Sequence, residues 1–390
     1  MSALPGLPDH GVVIGTVVNP AGLTLAKVVS VGAAGTFADP GLGASPTWHV
    51  FAIDRTGIAF TEAITVVGDE RLRLDRHAVR VIDEGLAWGP VSFFDQDGNP
   101  VPACTRGTLG RIELRLQEAG LQARVGHEIE FLVVGPAGER LPGELWAQYG
   151  LAGVLEFEGF VRDVMAAMDG AGVAVEQFHP EYGVNQFEMS LAPASPVAAA
   201  DQLVLARLLI GRVARNHGIR VSLSPVPFAG SVGSGAHQHF SLLQEGTSLF
   251  SGGHGPHGLT SEGAAAIAGV VAGLAEAQLI FSGSIVSGLR MRPGNWAGAW
   301  ACWGTENREA AVRFLTKTHG NPHGANVEVK VVDPSANPYL ASAAIIGLAL
   351  DGIENHMALP PEVTVDPATL SEADRDAAGV AQLSHDQSDA

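Results

Sequence analysis

Apolar positions along the chain follow two different periods. Over residues 11–100 they form short β-type runs, at 11–18, 48–53, 64–67 and 91–94, separated by Gly, Pro and Asp. The turn-rich segment 95–100, DQDGNP, predicts the end of a small first domain, placed at residues 1–101. From Thr105 the period lengthens. Leu109, Ile112 and Leu116 recur at helical spacing, with Leu114 beside them, and predict a helix over 108–119 closed by Gly120. Further helices are predicted over 158–171, 197–217, 261–281 and 338–356, so the region 102–360 reads as α+β. Residues 361–390 are acidic and polar, which predicts a partly disordered segment. No repeat recurs at a fixed period.

Four of the predicted strands carry polar chemistry on one face. In HEIEFLVV (127–134), Glu128 and Glu130 share a face, with Ile129 and Phe131 on the other. QFEMS (186–190) sets Glu188 opposite Phe187 and Met189, and GSGAHQHFS (233–241) aligns His237, His239 and Ser241. VEVKV (327–331) turns Glu328 and Lys330 away from its valines. Between the first two, EQFHPE supplies Glu176, His179 and Glu181 around a proline-fixed turn.

Any one of these reads as an ordinary half-buried strand. Together they repeat carboxylates in a chain with only 16% charged residues. Clustered carboxylates repel, and burying them is costly unless cations neutralise them. An oxygen-rich set with one or two imidazoles is the ligand chemistry of Mg²⁺ or Mn²⁺. A pair of such ions suits phosphoryl transfer. Arg308 and Arg313, in NREAAVRF (307–314), could hold phosphates or carboxylates bidentately, surface salt bridging being their plainer reading.

Composition narrows the partners. The 390 residues carry 23 Lys+Arg against 41 Asp+Glu, a net charge of −18 that excludes nucleic acid as a main partner. Cations would suit that charge, and so would plain solubility. Cys104 and Cys302 are the only cysteines, which excludes a disulfide framework and a thiolate zinc cage. Cys302 reads as a packing thiol, and His254 and His257 as parts of a Gly-rich loop. The N-terminus lacks the basic and apolar regions of a signal peptide, so a cytoplasmic setting without a membrane is expected. The apolar stretch 264–289 contains Glu276 and Gln278 and reads as Ala-rich core.

The motifs HEIEFLVV, EQFHPEYGVNQFE, GSGAHQHFSL, RMRPG, NREAAVRF and VEVKVVDPSANPYLASAAIIGLALDGI occur in an order that resembles the glutamine synthetase family, most closely its gamma-glutamyl-amine ligases. The resemblance implies a small β-grasp N-terminal domain and a catalytic domain whose curved antiparallel sheet and helices form a metal-binding funnel. It implies ATP-dependent phosphorylation of the γ-carboxylate of glutamate, or a close analogue, followed by displacement of phosphate by an amine. By motif position, Glu130, Glu181 and Glu188 match ligands of the metal beside the amino-acid substrate. Glu128, His237 and Glu328 match ligands of a second metal near the nucleotide, so two or three Mg²⁺ or Mn²⁺ ions per site are implied. Glu176, His239 and Ser241 match ATP contacts, Arg313 the arginine at the transferring phosphate and Arg308 its neighbour. Gly233, Arg290 and Lys330 match positions around the substrate carboxylate. A homo-oligomeric ring with shared active sites is implied as well.

Departures from the family cluster at the acceptor. Where the family motif carries a flap glutamate, RMRPGNWA places Trp296. The nearest match to the family's ammonium-binding aspartate is Leu42. Losing two carboxylates weakens a site for NH₄⁺, while an indole can stack on a cationic amine, so an organic amine is the expected acceptor. Lys330 stands where the family has a substrate-clamping arginine, Asn326 where it has a basic residue on the ATP side, and Val232 replaces an asparagine. The chain also stops before the family's usual last helices. Ordinary glutamine synthesis and an inactive relative are the competing expectations.

Overall fold

The computed structural model describes residues 8, 10–53, 57–321 and 323–386. The N-terminal sheet contains β1 (Val12–Val18), β2 (Thr24–Ser30), β3 (Leu42–Ala44), β4 (Glu70–Leu74), β5 (Arg80–Asp83) and β6 (Leu86–Phe94). Their order is β2-β1-β6-β4-β3, with β5 also paired to β6. β1 and β6 run parallel, and the other pairs are antiparallel. Alternate residues Val13, Val17, Val91 and Phe93 point into a core around Phe37.

Two of the predicted strands do not form. Residues 46–50 make a short 3₁₀ turn opened by Pro46 and capped by the Ser45 hydroxyl, which accepts from the Thr47 N–H. Residues 64–67 pair with nothing among the described residues, and Val66 and Val67 are 69% and 80% exposed. Local apolar content promised a strand there, but no partner face buries it.

The second sheet has ten strands. In chain order they are β7 (Leu121–Val134), β8 (Val175–Pro180), β9 (Gln186–Leu191), β10 (Arg220–Ser222), β11 (Gln238–Gln244), β12 (Thr247–Ser248), β13 (Trp300–Thr305), β14 (Ala310–Leu315), β15 (Asn326–Val329) and β16 (Ala381–Gln382). They run β16-β13-β14-β15-β11-β7-β9-β8, with β10 on β7 and β12 on β11. The helices Thr105–Glu118, Glu158–Gly170, Pro196–Asn216, Ser261–Ala272 and Pro338–Glu354 bury the apolar residues of these strands. Ile129, Phe131 and Val133 of β7 are essentially fully buried in that layer, which leaves Glu128 and Glu130 on the other face.

The helix predicted over 261–281 stops at Ala272 and resumes only as Gln278–Phe281. Ser261–Ala272 crosses Pro338–Glu354 at Gly269 and Gly352, where a Cβ on Gly352 would lie 2.1 Å from the Ala265 carbonyl oxygen. That close approach fixes the helix pair, and the helix ends at Gly273, where a Cβ would lie 2.2 Å from Leu348. Among the described residues no helix is long and apolar enough to cross a membrane.

The two sheets meet at a part-buried fork. Arg106 donates to both oxygens of Asp201, at 2.9 and 2.8 Å, and to Asp75 at 2.8 Å. Tyr339 donates its hydroxyl to Asp201 at 2.7 Å, and Asn337 donates to the Asn19 carbonyl at 2.7 Å. The DPSANPYL segment therefore ties the last long helix under the second sheet to the end of β1.

The expected disorder after Pro361 is not what is found. Glu372–Ala378 is helical, β16 pairs antiparallel with β13, and Val363, Val380 and Leu383 are buried. The Leu383 N–H donates to the Ala299 carbonyl at 2.9 Å. The Gln278 side chain meets the peptide of Ser384 from both sides, donating to its carbonyl and accepting from its N–H. Three well-spaced apolar residues outweigh the polar composition of the segment. Residues 387–390 lie outside the described residues.

Candidate active site

Strand register collects the acidic residues. β7 and β9 pair Glu130 with Glu188, β11 and β15 pair His239 with Glu328, and β14 and β15 pair Arg313 with Glu328. His237 Nδ1 lies 3.1 Å from Glu128 and 3.3 Å from Glu328, while its Nε2 is 4.0 Å from Glu130. His239 Nε2 is 3.3 Å from Glu128, and His179 Nε2 is 3.3 Å from Glu188. On the cationic side, Lys330 Nζ and Arg313 Nη1 approach Glu328 at 3.0 and 3.1 Å. Arg290 is buried, donating to the Lys330 carbonyl at 2.9 Å and lying 3.1 Å from His237 Nε2.

Among the described residues, potential ligand atoms lie within 4.8 Å of one another in two groups, one of Glu128, Glu188 and His237 and the other of Glu128, His239 and Glu328. Glu128 thus belongs to both. Glu130 and Glu181 stand just outside these groups. Glu130 accepts from Gln186 Nε2 at 3.0 Å, and the Glu181 carboxylate folds back onto the Tyr182 N–H.

Burial and like charge dominate the electrostatics. Burial, with Glu188 beside it, pushes Glu130 up to about 8. Burial and Glu128 push Glu188 up to about 7 against the pull of His179. The hydrogen bond to Glu188 raises His179 to about 9. Burial opposes protonation of His239, but Glu128 outweighs it and lifts the ring to about 9. Glu328 resists burial and stays well below the usual carboxylate range because Lys330, His237 and His239 face it. Burial and Lys330 lower His237 to about 4, leaving a neutral imidazole. The buried Nε2 of His239 faces Glu128 at 3.3 Å as its charged partner. Buried carboxylates that repel one another and a neutral imidazole at His237 together fit a hard divalent cation such as Mg²⁺ or Mn²⁺.

Residues 102–390 match the catalytic domain of glutamine synthetase. The chain belongs to the glutamine synthetase family. It is 41% identical over 387 residues to the gamma-glutamylpolyamine synthetase of Streptomyces coelicolor, covering 97% of this chain and 83% of that protein. It is 31% identical to the glutamine synthetase of Pyrococcus abyssi over 67% of this chain and 59% of that protein. A solved structure described as a novel glutamine synthase homolog superposes with a TM-score of 0.86 at 28% identity, covering 98% of this chain and 88% of the other.

Within this glutamine synthetase fold the remaining candidate residues spread along the same face. Glu176 is 2.7 Å from His323 Nε2, His239 Nδ1 is 2.9 Å from the Asn326 amide oxygen, and Ser241 donates to the Ala325 carbonyl at 3.3 Å. The segment carrying His323 and Asn326 therefore closes one end of the trough. The Gly233 carbonyl accepts from Gln186 Nε2 at 2.9 Å, and any side chain at Gly233 would press on Arg290 at 2.8 Å. Arg308 is exposed and has no charged partner among the described residues. Trp296 is 48% exposed at φ +52°, on a loop whose peptides donate to Glu309. The thiol of Cys302 is buried and pushed up to about 12, and His257 pairs with Glu362 at 2.7 Å. Neither joins the trough.

Sequence reading overlooked Gln186, Glu309 and Asp333. Gln186 lies on the Glu188 face of β9 by simple alternation, so that signal was available. Asp333, which accepts from the Ser287 hydroxyl and partly offsets the lowering of Arg290 by burial, is hidden within the DPSANP turn.

These shifts make stability depend on pH in a defined direction. Glu130, Glu188, His179 and His239 all bind a proton more tightly in the fold than in the unfolded chain. Between about pH 6.5 and 9 the metal-free fold therefore releases more protons than the unfolded chain and loses stability as pH rises. His237 and His127, lowered to about 4 and about 3, act below that window. A bound divalent ion takes over the protons' role. The Tm of chelated protein is expected to fall from pH 6.5 to 9, while that of Mn²⁺-saturated protein holds or rises. Parallel curves from differential scanning calorimetry would refute this account of the carboxylates.

Proposed function

We propose that this glutamine synthetase-family chain is an ATP-dependent ligase joining the γ-carboxylate of glutamate, or a close analogue, to an organic amine. The observation that carries the reading is Trp296. A half-exposed indole stands where the family motif has its flap glutamate, and the absence of a carboxylate there disfavours a bare ammonium ion. The identity to a gamma-glutamylpolyamine synthetase supports an acceptor with more than one cationic nitrogen.

In this reading Glu130, Glu181 and Glu188 hold one divalent ion and Glu128, His237 and Glu328 a second. Bound Mg²⁺ or Mn²⁺ would neutralise the charge on the phosphates. Arg290 and the Gly233 backbone receive the α-carboxylate end of the acid, with Lys330 beside them. Glu176, His239 and Ser241 face the nucleotide, and Arg313 stabilises the transferring phosphoryl group. Arg308 is free to swing onto a neighbouring phosphate. A γ-carboxylate oxygen attacks the γ-phosphorus and the bond to ADP breaks. The amine nitrogen then attacks the acyl carbon, the C–O bond to phosphate breaks, and the nitrogen gives up a proton to solvent. The N-terminal sheet would complete a neighbour's site in a ring of copies in the cytoplasm.

The test is phosphate release from ATP with glutamate and Mg²⁺ or Mn²⁺, comparing ammonium with primary amines, diamines and polyamines, and with mass spectrometry of the amide. Release driven by an organic amine and not by ammonium is the expected result. Strong release with ammonium would mean ordinary glutamine synthesis. Silence with every acceptor from a folded, metal-bound protein would point to an inactive relative.

A further inference from the structure

The loop that carries Trp296 is held by a residue outside the trough. Glu309 is 7% exposed, and its two carboxylate oxygens accept from two loop peptides, Oε2 from the Gly294 N–H at 3.2 Å and Oε1 from the Trp296 N–H at 3.0 Å. Glu309 is itself fixed. Its N–H donates to the Asn307 side chain at 3.1 Å, and that side chain donates to the carbonyls of Val363 and Val365, each at 2.9 Å. The loop needs such a hold, because Gly294, Trp296 and Gly298 all sit at positive φ, at +83°, +52° and +70°. For tryptophan that backbone region is unfavourable without outside support.

The loop also abuts the trough at both ends. Asn295 donates to the Arg290 carbonyl at 3.3 Å, and a Cβ on Gly298 would come within 2.9 Å of Lys330 Cβ. Where Trp296 sits relative to Arg290 and Lys330 is thus set by two charge-assisted bonds to one carboxylate. We propose that Glu309 is a specificity-determining positioning residue, whose buried carboxylate fixes the Trp296 loop in the conformation that presents the indole to the amine. The proposal rests on the reading of Trp296 as the acceptor wall.

The experiment compares Glu309→Ala and Glu309→Gln with wild type, using the best amine of the panel. Alanine removes both acceptors, while glutamine keeps one oxygen and loses the other. The KM for the amine is expected to rise about tenfold in E309Q and on the order of a hundredfold in E309A, as misplaced binding groups do. The KM values for ATP and glutamate and the kcat at saturating amine are expected to stay at wild-type values. An unchanged amine KM, or equal rises for all three substrates, would overturn the proposal in favour of a purely structural Glu309. If E309A does not fold, E309Q decides alone. Should wild type prefer ammonium, the acceptor-wall reading fails, and the same variants then report separately through the KM for ammonium.

Discussion

Replacing Glu328 with glutamine is expected to lower metal-dependent ATP turnover by a factor on the order of a thousand and to destabilise the fold. Replacing Glu130 in the same way is expected to lose the turnover and spare the fold. The contrast follows from their surroundings. Glu328 is 2% exposed, ionised, and faced by Lys330 at 3.0 Å, Arg313 at 3.1 Å and His237 at 3.3 Å. Its neutralisation takes the carboxylate partner from the buried Lys330 ammonium, while Arg313 keeps Glu306 at 2.6 Å; breaking a buried pair in this way costs about 3–5 kcal/mol in comparable cases. Glu130 is pushed up to about 8, so it is mostly protonated at neutral pH when no metal is bound. Glutamine mimics that neutral form and leaves metal-free stability at or above wild type. Phosphate release together with thermal unfolding of chelated protein reads both effects. Wild-type turnover in both variants would remove these residues from the metal-binding set, and equal losses of stability would contradict their opposite charge states.

Trp296→Glu is expected to move the acceptor preference towards ammonium. Stacking of a cationic amine on an indole contributes about 1–2 kcal/mol when partly desolvated, so its loss predicts a rise of about tenfold in the KM for the organic amine. The new carboxylate restores the charge that the family motif carries at this position and attracts a small cation. It also accepts the same backbone, because the positive φ of +52° is no less favourable for glutamate than for tryptophan. The ratio of kcat/KM for amine over ammonium is the quantity to measure. A ratio unchanged by the substitution would show that Trp296 does not border the acceptor.

Much of this could be read from the residues alone, for reasons that are local. The period of two in HEIEFLVV and QFEMS places Glu128, Glu130 and Glu188 on one face because a strand offers no other arrangement. Register is a non-local property, and there the reading stopped short. Glu128 stands within reach of both candidate groups because β7 lies between β9 and β11. The runs at 48–53 and 64–67 looked like strands because burial is decided by the partner face and not by the run itself. Composition misled again after Pro361, where Val363, Val380 and Leu383 are diluted by acidic residues yet placed where each can be buried. Glu309 was hidden for a related reason. It stands in the turn before β14, so strand alternation gave no cue that its carboxylate would serve a loop 13 residues upstream.

The grip on the C-terminal segment separates identity from spacing. Gln278 engages only the peptide of Ser384, and Leu383 is anchored through its backbone as well as its side chain. Gly288 lies so close to the His385 carbonyl oxygen that an added Cβ would come within 1.9 Å of it. At Ser384 and His385 the side chain can change at little cost, proline at 384 excepted because it has no N–H to offer, whereas the buried Leu383 must stay apolar. A single inserted residue between Gly379 and Ser384 is a different matter. It would turn Leu383 outward, empty its place in the core and uncouple both flanks of the Trp296 loop at once.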